Sequence, residues 1–135
     1  MHIVLLLVCL LAATACDEKS PLAPSVPLNQ QFTLAHNETA AVDGTNVSVQ
    51  FVDVTGDSRC PADAVCIQGG DAIVHVRAFD SSDASRLELH TGDSSRASGV
   101  HKQLRISLVQ LQPYPFSNRT IAPDEYRATL TVTRQ

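Results

Sequence analysis

From Gln31 to the C-terminus, apolar residues recur at every second position, the period of a half-buried strand. Asn46-Val47-Ser48-Val49-Gln50-Phe51 is the cleanest case, with Val47, Val49 and Phe51 on one face and polar residues on the other. The same alternation predicts strands over Phe32–Ala35, Thr39–Val42, Ala72–Phe79, Arg86–His90, Leu104–Leu111 and Tyr126–Val132. Turns fall between them at His36-Asn37 and at Asp43-Gly44-Thr45, where glycine accepts the positive φ of a hairpin turn. Helical periodicity is nearly absent, a single turn after Pro61 apart. About seven short strands with Gly, Asp, Ser and Pro between them predict an all-β, antiparallel sandwich over residues 31–135.

The first thirty residues behave differently. The apolar run from Ile3 to Ala13 is too short to span a bilayer as a helix, and it ends in small residues followed by cysteine, Ala13-Thr14-Ala15-Cys16. This pattern resembles the lipobox of bacterial lipoprotein signal peptides. The resemblance implies that residues 1–15 are removed as a signal peptide and that Cys16 becomes a lipidated N-terminus. The protein would then be anchored in the cell envelope, facing the periplasm or exterior, with the covalent lipid as its membrane contact. At least two acyl chains on one cysteine would make that attachment effectively permanent. Only His2 and the α-amino group supply positive charge ahead of the apolar run, as expected if the true start codon lies upstream. Residues 16–30 read as a flexible linker, because Pro21, Pro24 and Pro27 forbid helix and the remainder is largely polar.

About 120 residues follow Cys16, enough for one small domain. All the Lys, Arg, Asp and Glu residues lie in that part, the net charge is −4, and no basic run occurs. Nucleic acid is therefore not the expected partner. With Cys9 lost in the leader and Cys16 carrying lipid, Cys60 and Cys66 are the remaining thiols, and an oxidising compartment favours a structural disulfide between them. The spacing departs from the Cys-x-x-Cys of redox enzymes.

The string Asp57-Ser58-Arg59-Cys60-Pro61, followed by Cys66, Gly70 and Ala72, resembles a group of uncharacterised bacterial secreted and lipoprotein domains. They carry DSRCP-x4-C-x-W-x-G-x-A; here Gln68 stands where they usually have Trp. Pro113-Tyr114-Pro115 and Tyr126-x-Ala128-x-Leu130-x-Val132 fit the C-terminal half of the same pattern. The resemblance implies a fold and no activity. Asp57, Arg59, Pro61 and Gly70 read as structural residues of the loop: Asp57 accepts backbone N–H groups, Pro61 opens a helical turn, and Arg59 reaches Asp57 or Asp63. Ala122-Pro123-Asp124-Glu125-Tyr126 resembles the tyrosine corner of immunoglobulin-like sandwiches, which implies a Greek-key arrangement and a Tyr126 hydroxyl bonded to nearby backbone.

Histidines are the remaining source of chemistry. A hairpin turning over Ser81–Ala84 would set Val76 opposite Leu89 and Ala78 opposite Leu87. On its exposed face Arg77 would meet Glu88 and His75 would meet His90. Joined by His101 or a carboxylate, these imidazoles could hold copper or zinc. No HExxH, P-loop, dinucleotide or nucleophile-elbow pattern occurs, so neither an enzyme nor an organic cofactor is expected. The reading is a membrane-anchored lipoprotein with a non-enzymatic binding or structural domain and an unidentified envelope partner; the alternative is a periplasmic metal-binding domain.

Overall fold

In the computed structural model, which describes residues 23–135, the predicted alternation becomes two sheets packed face to face. One sheet has five strands: β1 (Ser25–Val26), β3 (Thr39–Val42), β4 (Ser48–Thr55), β5 (Ile73–Phe79) and β6 (Ala84–His90), in the order β1-β3-β4-β5-β6. The other has four: β2 (Gln31–Ala35), β7 (Ser98–His101), β8 (Leu104–Gln112) and β9 (Arg127–Arg134), in the order β2-β9-β8-β7. Short 3-10 turns at Ser94–Arg96 and Pro123–Glu125 are the described helical segments. The protein is an all-β sandwich.

Every second residue of each central strand fills the space between the sheets. Val49, Phe51, Val74, Val76, Ala78 and Leu89 from one sheet are fully buried, as are Ile106, Ala128, Leu130 and Val132 from the other. Two bulges reset the alternation. The register between β4 and β5 shifts between Phe51 and Asp53, so that Val54 comes opposite the buried Val74 and Asp53 comes opposite His75. A matching shift between Leu108 and Gln110 in β8 brings Leu111 inward opposite Ala128 and leaves Val109 exposed. A bulge adds one residue and so changes which face the following side chains occupy.

Three expectations are corrected. The linker does not run to Gln30: β1 pairs in parallel with β3, Val26 is buried, and Leu28 packs on the core. Proline does not prevent this, because Pro24 and Val26 contribute carbonyls, which accept from Ala41 N (2.9 Å) and Asp43 N (2.9 Å), and Pro27 lies beyond the paired residues. The signal segment, Cys16 and the linker as far as Leu22 lie outside the described residues. Strand β7 is a further addition; its Gly99 lies so close to Leu87 that a Cβ would sit 3.0 Å from that side chain.

The third correction is the β5–β6 register. Val76 faces Leu87, Val74 faces Leu89, Arg77 faces Arg86 and His75 faces Glu88, two residues from the expected pairing. Asp80 sets the turn, its Oδ1 accepting from the backbone N–H groups of Ser82 (2.7 Å) and Asp83 (2.9 Å). A slip of two leaves every side chain on its own face, so the hydrophobic pattern is satisfied by either register.

Candidate functional site

The loops at one end of the sandwich hold the densest polar chemistry of the described residues. The chain leaves β4 at Thr55 and returns to β5 at Ile73, and residues 57–71 between them form the loop that carries both cysteines. Cys60 and Cys66 are joined as a disulfide, with Cα atoms 5.9 Å apart. Backbone bonds close the base of the loop, from Ser58 N to Asp71 O (2.6 Å) and from Cys60 N to Gly69 O (3.0 Å). The turn expected after Pro61 is present, with Ala64 N donating to Pro61 O at 3.1 Å. Gly70 has φ +68°, and a Cβ there would lie 1.8 Å from the Ser58 carbonyl oxygen; only glycine fits.

Beneath the loop, Arg59 is buried and all of its visible partners are within the protein. Its Nε and Nη2 donate to the two Asp57 carboxylate oxygens at 2.9 and 2.7 Å, while Nη1 and Nη2 donate to the carbonyls of Leu111 (2.8 Å) and Pro113 (2.9 Å). The guanidinium also lies 5.6 Å from the centre of the Tyr114 ring. Of the two carboxylates within expected reach of Arg59, Asp57 is the one engaged; Asp63 instead accepts from Ser117 N (2.9 Å) and Oγ (2.5 Å). Burial alone would raise the pKa of Asp57, but hydrogen bonds from Arg59 and Tyr126 outweigh it and hold the carboxyl below its ordinary value.

Tyr126 departs from the tyrosine-corner expectation. Its hydroxyl does not return to nearby backbone; it donates to Asp57 Oδ2 at 2.8 Å, across the sandwich end. Burial and the Asp57 carboxylate together push the phenol up to about 12. The segments Asp57–Pro61, Pro113–Pro115 and Tyr126, far apart in sequence, thus meet in one polar network. The pattern that the sequence resembles contains all three segments, but nothing in it indicated that they meet.

Beside this network an open cleft of about 1060 Å³ is lined by residues that include Arg59, Gly70, Asp71, His90, Leu108 and Tyr114. Asp71 organises its far wall, accepting from His90 Nδ1 (2.5 Å), Gly92 N (2.8 Å) and Thr91 Oγ1 (3.3 Å). Its pKa is lowered: burial opposes the charge, and the bonds from His90 and Gly92 overcome that opposition. Sequence reasoning missed Asp71, whose position before Ala72 carries no signal of its own.

The histidines do not form the expected exposed pair. His75, His90 and His101 are all buried. His75 faces Glu88, and its Nε2 meets Thr55 Oγ1 at 2.9 Å; His90 faces Ile73 and holds Asp71; His101 lies in the other sheet and meets Ser85 Oγ at 2.8 Å. The last contact ties the edges of the two sheets together. Among the described residues, no three His, Cys, Asp or Glu side chains gather in a metal-holding group.

The site therefore defines a class by its architecture: a two-sheet sandwich with one end stapled by a disulfide and a buried ion pair. Neither family models, nor curated proteins, nor solved structures yield a match to this chain.

Proposed function

We propose that this chain is a lipid-anchored envelope protein whose sandwich is a non-enzymatic binding domain, used in the manner of an immunoglobulin-like module: its loops at one end engage a partner. The leader-like segment ending at Cys16 supports export and acylation, and a disulfide between the two remaining cysteines suits an oxidising compartment. The observation that carries the binding reading is the Asp57–Arg59–Tyr126 network under the cleft. It holds the loop in one arrangement, and a preformed surface loses little conformational freedom on binding.

The test has two parts. Mass spectrometry of the membrane fraction is expected to find acyl chains on Cys16; an unmodified, water-soluble protein would overturn the anchoring. A photo-reactive residue at Ser94, on the cleft wall, is expected to give a discrete adduct in intact envelopes, and the same group at Ser81, at the other end, none. Equal yields at the two sites, or none at Ser94, would remove the binding reading.

A further inference from the structure

Among the described residues, six large apolar side chains stand in solvent: Val65, Ile67, Val100, Val109, Tyr114 and Phe116. Four of them belong to two segments at one end, the disulfide loop and residues 113–117. Val65 and Ile67 are 104% and 105% exposed, as open as in an extended peptide. They flank Cys66, so the disulfide holds them outward together. The two segments are bonded to each other, Ala62 N donating to Pro115 O at 2.8 Å and Ser117 to Asp63. This is a fixed apolar rim. Single exposed apolar residues are ordinary, whereas a cluster marks a contact surface.

The course of the chain indicates which surface. Ser25 pairs with Ala41 in parallel, and β3 runs antiparallel to β4. Traced backwards from Ser25, the chain therefore runs in the direction that β4 takes toward Thr55 and the disulfide loop. Ser25 lies level with Ser48 at the start of β4, so the chain runs back along the sheet in the direction of the apolar rim. Six residues, Asp17 to Leu22, separate Ala23 from Cys16, a reach of roughly 20 Å when extended.

We infer that Val65, Ile67, Tyr114 and Phe116 form a membrane-contact face that dips into the interface of the bilayer holding the Cys16 lipid. This rests on the lipid-anchored reading above. The tether raises the local concentration of bilayer around the domain, so the rim has only to orient the protein and not to hold it there. Tyrosine suits the place, with an apolar ring and a polar tip. Arg119 is paired with Glu125 and Arg59 with Asp57, while Asp63, bonded to the neutral Ser117, keeps its negative charge; the two segments thus offer no unpaired cation to lipid headgroups. The contact is therefore apolar insertion, insensitive to salt, and not attraction to headgroups.

The protein contains no tryptophan, so an introduced one is a single reporter. The acylated full-length protein, carrying Ile67→Trp or Val65→Trp, is reconstituted in phosphatidylethanolamine–phosphatidylglycerol vesicles. Ser81→Trp, in the loop at the opposite end, is the comparison. Tryptophan at 65 or 67 is expected to shift to shorter wavelength and to lose emission to bromine-labelled lipids at low and high salt, and tryptophan at 81 to do neither. Unquenched emission at 65 and 67 in protein that is acylated and floats with the vesicles overturns this inference and leaves the anchoring intact. Equal quenching at all three sites also overturns it. Absence of acyl chains on Cys16 removes both.

Discussion

Arg59 shows what a single buried charge demands of a small sandwich. A guanidinium presents five N–H donors and cannot shed its proton, so burial requires acceptors on several sides. Asp57 supplies two, and the Leu111 and Pro113 carbonyls supply one each. Asp57→Asn removes the charge opposite Arg59 and is expected to lower stability by about 3 kcal/mol, visible as a lower thermal midpoint by circular dichroism; an unchanged midpoint would show the pair to be dispensable. The same network sets the pH limits. Asp57 has a lowered pKa in the fold, so its contribution is complete above the ordinary carboxylate value of about 4 and fades as pH falls through the lower folded value. Tyr126 is raised, so its contribution is complete below about pH 10 and fades as pH rises through about 12. Denaturant midpoints are expected to hold between those limits and decline outside them, and Tyr126→Phe to flatten the alkaline decline.

At the scale of elements, alternation located seven strands and left out two. β1 has two paired residues, ahead of Pro27, and β7 contains Gly99 where an inward side chain would collide with Leu87. Neither shows a period: β1 is too short for one, and in β7 a glycine takes the inward place of an apolar residue while Val100 is exposed, although its partner β8 follows across a two-residue turn. The disulfide loop is the element most open to test. Gly70→Ala would drive a methyl into the Ser58 carbonyl and force a side chain onto a left-handed backbone. A loss of at least about 2 kcal/mol is expected, read in urea unfolding. Cys60→Ser/Cys66→Ser is expected to cost about 2 kcal/mol through the lost loop closure, with native strand content retained in the far-ultraviolet spectrum because the Arg59 network is independent of the sulfurs. Collapse of the spectrum would instead make the disulfide essential to the fold.

For the whole molecule, the proposed anchoring is separable from folding. The described core lies within residues 26–132, beyond the linker residues nearest Cys16. Cys16→Ser is accordingly expected to move the protein from membrane to soluble fractions with its thermal midpoint unchanged; retention in membranes would point to an attachment other than the lipid. The sandwich itself closes unevenly. At one edge His101 reaches Ser85 across the two sheets, and at one end the loops after β4, β6 and β8 meet around the cleft.

Periodicity and turn residues were enough to establish an all-β chain and the inward sets of its main strands, because both depend on short-range spacing. The pairing of Cys60 with Cys66, which the structure contains, followed only once Cys9 and Cys16 were assigned to the proposed leader and lipid. The β5–β6 register, the burial of His75, His90 and His101, and the union of Asp57, Arg59, Tyr114 and Tyr126 were decided only by the tertiary structure. A strand pair shifted by two has the same inward face, and a polar side chain's partner is chosen by whichever group the packed sheets bring within hydrogen-bonding distance.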